Sequence, residues 1–319
     1  PRSDVEMINA GISGHTTADA LARIDRDVLA HEPDLVTVMI GLNDVARVPL
    51  DAYRDNLREI VKRCRGVGAE VVLATPNNVI DSEGRPTEKL IAYCDAVRAV
   101  GKELDVPVCD VYREFDAARA CVATDWRLVM SDAIHPNFDG HRRIATALAQ
   151  TITGARISLT DVDPPADGLQ HTALALGEGK PLNVLAMPPF DGAAVAALKE
   201  AFPDATVDVT TWEVSGKPLA EIEADAQDRV RAMKPDLVVI AVPRAAYPES
   251  DEEFARCFAW VMNWSLNFGP PTWDVVVVHP DVFDASEADE ARDELLRRLV
   301  RAQDLSLVDR AAGDSSDAA

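Results

Sequence analysis

The sequence predicts an α/β fold of two tandem domains, each a parallel sheet with helices on its faces. Three observations predict it. Short β-rich runs alternate with helix-length amphipathic segments along the whole chain, the pattern of strand–helix–strand units. The pattern stops between residues 156 and 181 and then begins again with matching residues. With 319 residues, 47% of them apolar, the chain has material for two hydrophobic cores.

In the first half the expected strands are "VEMI" (5–8), "LVTVMI" (35–40), "EVVLAT" (70–75) and "VPVCDV" (106–111). The amphipathic stretches 17–31, 50–66, 86–103 and 138–152 are the expected helices. This gives a first domain over 1–155. The stretch "DVDPPADGLQ" supplies turn formers without periodicity, so 156–181 is read as a linker. The second domain, 182–319, opens on the strand "LNVLAM", the turn "PPFD" and the helix "GAAVAALKEAF"; "VVIAV" and "VVVV" supply further strands.

The two halves are copies. Residues 1–40 laid on 203–242, a shift of 202 without a gap, agree at 12 of 40 positions, including Pro1/Pro203, Ser13/Ser215, Gly14/Gly216 and the run Pro33–Val36 against Pro235–Val238. Pro76 and Pro280 close the matching strands "VVLATP" and "VVVVHP", the shift having grown to 204. A tandem duplication of one α/β domain accounts for this most simply.

Composition excludes several classes of function. The net charge of −22, from 32 basic and 54 acidic residues, leaves no cationic excess to neutralise a phosphate backbone, so no nucleic-acid partner is expected. The acids are spread along the helices as a solvated surface. Cysteines 64, 94, 109, 121 and 257 show neither a disulfide framework nor a zinc spacing and are read as reduced, mostly buried thiols; the compartment is left open, the cytoplasm being favoured. No apolar run approaches the ~18 residues of a membrane span, so no integral membrane segment is expected. Neither H-E-x-x-H nor a P-loop occurs, and no metal or cofactor is inferred.

Three stretches fall just past the carboxyl ends of strands, where an open parallel sheet holds its ligands: "NAGISGHT" (9–16), "GLND" (41–44) and "DAIHPN" (132–137). Asp132 and His135, three apart, have the residue types of two thirds of a catalytic triad. Taken singly, each stretch has a plainer reading. Gly14 suits a turn, Asn43 and Asp44 a helix cap, and Asp132 with His135 a capped helix entry. "GISGH" is not G-x-S-x-G, since His15 stands where the final glycine should, so Ser13 is not a nucleophile elbow.

In order and spacing these stretches together resemble the SGNH, or GDSL-type, hydrolase family, over roughly residues 1 to 152. The resemblance implies three-layer α/β/α, flavodoxin-like domains and a serine ester hydrolase acting on a small acyl or acetyl ester. It implies that the backbone N–H of Gly14 and the side-chain amide of Asn43 form the oxyanion hole. Asp132 would orient His135, and His135 would be the general base. His15, Asp44 and Trp126 are candidate substrate contacts. The family's nucleophile belongs to a Gly-Asp-Ser turn that would precede Pro1, so the first domain here is expected to lack its first strand, first helix and serine. The second copy would have no triad: Pro243, Ala245 and Ala246 stand opposite Gly41, Asn43 and Asp44, and no second Asp-x-x-His follows Asp309. The competing expectation is a non-catalytic binding or interaction protein that keeps the fold.

Overall fold

Contacts divide the chain into two units, Pro1–Ala120 with Arg142–Thr160 and Cys121–His141 with Asp161–Ala319. The computed structural model describes residues 5–121, 123–159, 162, 168–267 and 272–310. The segment 121–141, assigned by sequence to the first copy, therefore makes its contacts in the second unit.

In the first unit, α1 (Thr17–Asp27) opens on a capping box in which Thr16 accepts from the Asp19 N–H and Asp19 accepts from the Thr16 N–H. It ends sooner than its periodicity predicts. A short 3₁₀ turn, Leu29–His31, and a left-handed Glu32 (φ 46°) lead into Pro33, which disfavours helix before it. Then follow β1 (Leu35–Met39), α2 (Asp44–Arg47), α3 (Leu50–Gly66), β2 (Glu70–Ala74), α4 (Thr87–Leu104), β3 (Val108–Cys109) and α5 (Val111–Cys121). The strands form a parallel sheet in the order β1-β2-β3, with Leu35 opposite Glu70 and Leu73 opposite Val108. Its core is built from Tyr53, Leu57 and Val61 of α3 with Leu90, Tyr93 and Val97 of α4; the two tyrosine rings lie 4.9 Å apart.

The expected strand at 5–8 does not form, and Val5, Met7 and Ile8 are 64%, 89% and 50% exposed. A strand needs a ladder partner for its N–H and C=O groups. The matching segment of the second unit finds one in the strand Leu182–Ala186. Residues 5–8 have no such neighbour among the described residues.

The second unit begins with α6 (Ala123–Arg127) and the first residues of α7 (Phe138–Thr153). The stretch read as a linker contains α8 (Gln170–Gly177), which is fastened down: the N–H of Thr172 donates to Asp274 at 2.7 Å, and the His171 ring meets Asp236 at 3.1 Å. Then come β4 (Leu182–Ala186), α9 (Phe190–Ala201), β5 (Val207–Thr211), α10 (Leu219–Met233), β6 (Leu237–Ile240), α11 (Asp251–Ser265), β7 (Asp274–Val278), α12 (Glu290–Gln303) and β8 (Ser306–Val308). All pairings are parallel and the order is β5-β4-β6-β7-β8, the flavodoxin-like order 2-1-3-4-5 counted within the unit. Both strands and helices feed the core, from Leu182, Val184 and Ile240 to Phe254, Phe258, Leu296 and Leu299.

Matched residues adopt matched geometry. Helices α1 and α10 start at Thr17 and Leu219, and β1 and β6 at Leu35 and Leu237, each 202 apart. Left-handed Glu32 (φ 46°) answers Lys234 (φ 47°), and Gly14 (φ 79°) answers Gly216 (φ 72°). Farther on the shift is 199: the Arg98–Asp110 pair (2.8 Å) corresponds to Arg297–Asp309 (2.6 Å). Cys64, Cys94, Cys109 and Cys257 are free and buried. Among the described residues no helix is long and apolar enough to cross a membrane.

Candidate active site

The tetrad implied by the motifs is divided between the units: Gly14 and Asn43 belong to the first, Asp132 and His135 to the second. Asp132 and His135 are brought together by a closed loop. One carboxylate oxygen of Asp132 accepts the backbone N–H groups of Ile134 and His135, each at 2.7 Å, and the other meets His135 Nδ1 at 2.7 Å. An aspartate reaching two and three residues ahead is a local turn former, which is why Asp-x-x-His is a natural spacing for this pair. Burial alone would raise the carboxyl pKa of Asp132. The His135 ring and the two N–H groups outweigh it and hold the group below its ordinary 3.8. An ionised acceptor at Nδ1 assigns the ring proton to that nitrogen and makes Nε2 the basic one.

The loop is closed at its base as well. The Ser131 N–H donates to the His135 carbonyl at 2.8 Å, and the Asn137 N–H donates to Val129 at 3.2 Å. The Asn137 side-chain amide donates to Leu128, and its oxygen caps α7 at the Gly140 N–H. A Cβ at residue 140 would lie 2.2 Å from the Val129 carbonyl oxygen, so only glycine allows this approach. The capped helix entry and the Asp–His pair are therefore one structure.

In the first unit, Gly14 sits at positive φ (79°) with open space around its missing Cβ, so backbone conformation is what requires glycine there. Its carbonyl accepts from Arg47. Asn43 follows the carboxyl end of β1, and its amide is fixed from both sides. Nδ2 donates to the His15 carbonyl at 3.1 Å, and Oδ1 accepts from Arg85 at 3.3 Å. Arg85 also donates to the Leu42 carbonyl at 3.0 Å. The orientation leaves a second N–H on Nδ2 with which to donate. Arg47 and Arg85 were not singled out from the sequence. Arg85 lies 42 residues from Asn43, and nothing in a single sequence links the two.

The candidate contacts divide. His15 is half-buried, and its Nδ1 accepts from Arg23 at 3.2 Å, which assigns the proton to Nε2. Asp44 is fully buried and holds the start of α1, one oxygen accepting the N–H (2.9 Å) and hydroxyl (2.5 Å) of Thr17. Burial outweighs those bonds and raises its pKa. In this structure Asp44 offers substrate no exposed atom. Trp126 is 4% exposed and carries the Arg127 guanidinium at 5.0 Å from its ring centroid, the situation of a core residue. Ser131 points away from the pair, donating to Gln303 at 2.8 Å.

Among the described residues, His279, Asp281 and Asp293 bring possible ligand atoms within 4.8 Å of one another. Arg244 already occupies the centre of that group, 2.7 Å from Asp293 and bonded to Asp281, while Arg297 reaches Asp281 at 2.8 Å. His279 Nδ1 accepts the Asp281 N–H at 3.2 Å. A cation would have to displace a guanidinium, so the arrangement is one of ion pairs.

Residues 2–143 match the model of the GDSL-like Lipase/Acylhydrolase family. The chain is 30% identical over 167 residues to an acetylxylan esterase of Geobacillus stearothermophilus, covering 48% of this chain and 74% of that protein. It is 28% identical over 152 residues to thioesterase 1/protease 1/lysophospholipase L1 of Escherichia coli K12, covering 47% and 69%. A crystal structure of the Geobacillus acetylxylan esterase superposes with a TM-score of 0.42 at 28% identity, over 47% of this chain and 73% of that one.

Proposed function

The chain belongs to the GDSL-like lipase/acylhydrolase family of SGNH hydrolases, and from that membership we propose a serine esterase of small acyl or acetyl esters whose nucleophile lies on a turn upstream of Pro1. The observation that carries the reading is the 2.7 Å bond from His135 Nδ1 to a buried, ionised Asp132. That bond is what a general base needs in order to stay in one tautomer and one orientation.

The roles follow from the chemistry. The serine oxygen attacks the ester carbonyl carbon while His135 Nε2 takes its proton, and the carbonyl electron pair moves onto oxygen. The Gly14 N–H and the Asn43 amide donate to that oxyanion, with Arg85 and the His15 carbonyl keeping the amide turned the right way. Collapse breaks the C–O bond, and the leaving alcohol takes the proton from His135. Water then attacks the acyl-enzyme with His135 as base, releasing the acid and restoring the serine. The relative named for acetylated xylan supports an acetyl ester of a carbohydrate as the first substrate to try.

The test is a fluorophosphonate probe applied to this chain and to a version extended upstream by roughly 40 residues, more than enough for one strand–helix unit. Labelling of the extended protein alone, abolished when its Gly-Asp-Ser serine is changed, is the expected result. Labelling of a serine within residues 1–319 would overturn the assignment, and no labelling of either would favour the non-catalytic binding protein. In the extended enzyme, His135→Ala should lower kcat by about three or more orders of magnitude. Asn43→Ala should lower it by about two to three orders.

A further inference from the structure

The Asp132–His135 loop belongs by its contacts to the unit that has no motif of its own. Three attachments hold it there. The side chain of Leu128 packs on the hydrophobic core of the second unit. Arg127, 9% exposed at its side chain, meets Glu252 of α11 at 3.1 Å. Ser131, the neighbour of Asp132, donates its buried hydroxyl to Gln303 at the end of α12 at 2.8 Å, across 172 residues of sequence.

Gln303 is the telling member. It is 9% exposed, and its Nε2 finds no hydrogen-bond partner among the described residues. A residue selected for packing alone would be apolar there, because an unpaired buried amide costs about 1–3 kcal/mol. The acceptor it presents to Ser131 accounts for its presence. Ser131 in turn donates its backbone N–H to the His135 carbonyl, so one residue ties both the start and the end of the turn to α12.

We infer that the second copy serves as the platform for the general base, with Gln303 and Glu252 as positioning residues for His135, acting through Ser131 and Arg127. The inference rests on the reading of His135 as a base, and it gives the copy without a triad a part in the reaction. A short turn at the surface is held in one geometry only by what anchors it. A displacement of about 1 Å at a reacting group is enough to cost about a hundredfold in rate.

Two readouts test it. In the 319-residue chain, the His135 Nδ1–H proton, deshielded by its bond to Asp132, should give a downfield NMR resonance whose exchange with water reports how firmly the loop is held. Gln303→Leu should speed that exchange by about tenfold or more, a loosening on the order of 1 kcal/mol. In the extended enzyme the same change should lower kcat by about tenfold and leave KM within about twofold. Arg127→Glu and Glu252→Arg should each act in the same direction, and the double swap should recover most of the loss. The swap also covers the case in which Gln303→Leu fails to fold. Unchanged Nδ1–H exchange in folded Gln303→Leu and in both single charge variants would overturn the inference. Because exchange is read without substrate, a protein that proved not to be an esterase would still decide the anchoring question.

Discussion

Strands β1 and β6 start from the same residues and end in different surroundings. Asp34-Leu35-Val36 corresponds to Asp236-Leu237-Val238, and each strand leaves a helix through a left-handed residue and a proline. β6 lies between β4 and β7 and is buried along its whole length. Among the described residues β1 pairs on one side only, with β2, and it alternates between exposed and half-buried; Leu35 is 39% exposed where Leu237 is 7%. The residues specify a strand in both places. Burial comes from the neighbours, and β1 lacks the one that β4 supplies to β6.

The ends of those strands diverge in chemistry as well. Both units keep the Arg–Asp pair, Arg98–Asp110 and Arg297–Asp309. At the position of Leu42 the second unit has Arg244, buried against Asp293 and Asp281. The site with hydrogen-bond donors in one copy is filled by ion pairs in the other. The largest effect expected from breaking this contrast is therefore at Arg244. Arg244→Leu, which copies the first unit, should destabilise the second by about 3–5 kcal/mol, because the buried Asp293 carboxylate loses its counter-ion and the half-buried Asp281 is left with Arg297. Urea unfolding measures it. Adding Asp293→Leu and Asp281→Asn should return much of the loss, and a triple variant no better than the single would show that the network is not what costs.

How much of this was legible beforehand follows from range. Strand and helix positions were legible because periodicity is local: 50–66 was expected as a helix and is one, and 70–75 as a strand, observed at Glu70–Ala74. The Asp132–His135 pair was legible for the same reason, three residues being one turn. Residues 5–8 have a strand's composition and no partner among the described residues, which composition cannot reveal. The 156–181 stretch was read from its prolines and glycines, and α8 inside it is held by Asp274, about a hundred residues away. The attachments of Ser131 to Gln303 and of Asn43 to Arg85 have no counterpart in the sequence pattern at all. Asp44 reads as a helix cap or a substrate contact beside Asn43, yet it is buried, its oxygen taken by Thr17.

A direct measure of the strand comparison is the matched leucine. Leu237→Ala should cost about 2–5 kcal/mol, the range for a leucine in a filled core. Leu35→Ala should cost under about 1 kcal/mol, since much of that side chain already meets water. Hydrogen exchange sharpens the same contrast: amides of β6 should be protected up to the global stability, and those of β1 that face away from β2 should exchange far sooner. Equal costs and equal protection would mean that β1 is covered in solution by something absent from this structure.

The smallest effects expected are also the most specific, because two buried aspartates, one in each unit, titrate in opposite directions. Asp132 is held below its ordinary 3.8, although burial opposes this, by the His135 ring and two backbone N–H groups. Its folded form binds a proton less readily than its unfolded form. Asp132 therefore contributes stability at neutral pH that is lost as pH falls below 3.8 through the lower folded value. Asp44 is raised, burial outweighing its bonds to Thr17. Its folded form binds a proton more readily, so its contribution is present in full below 3.8 and is lost as pH rises through the higher folded value. Unfolding free energies measured against pH should therefore change slope in opposite senses. Asp132→Asn should flatten the acid limb, and Asp44→Asn should remove a decline on the neutral side of 3.8. An acid limb unaltered by Asp132→Asn would mean that the Asp132–His135 bond is not formed in solution, and the proposed base would lose the group that orients it.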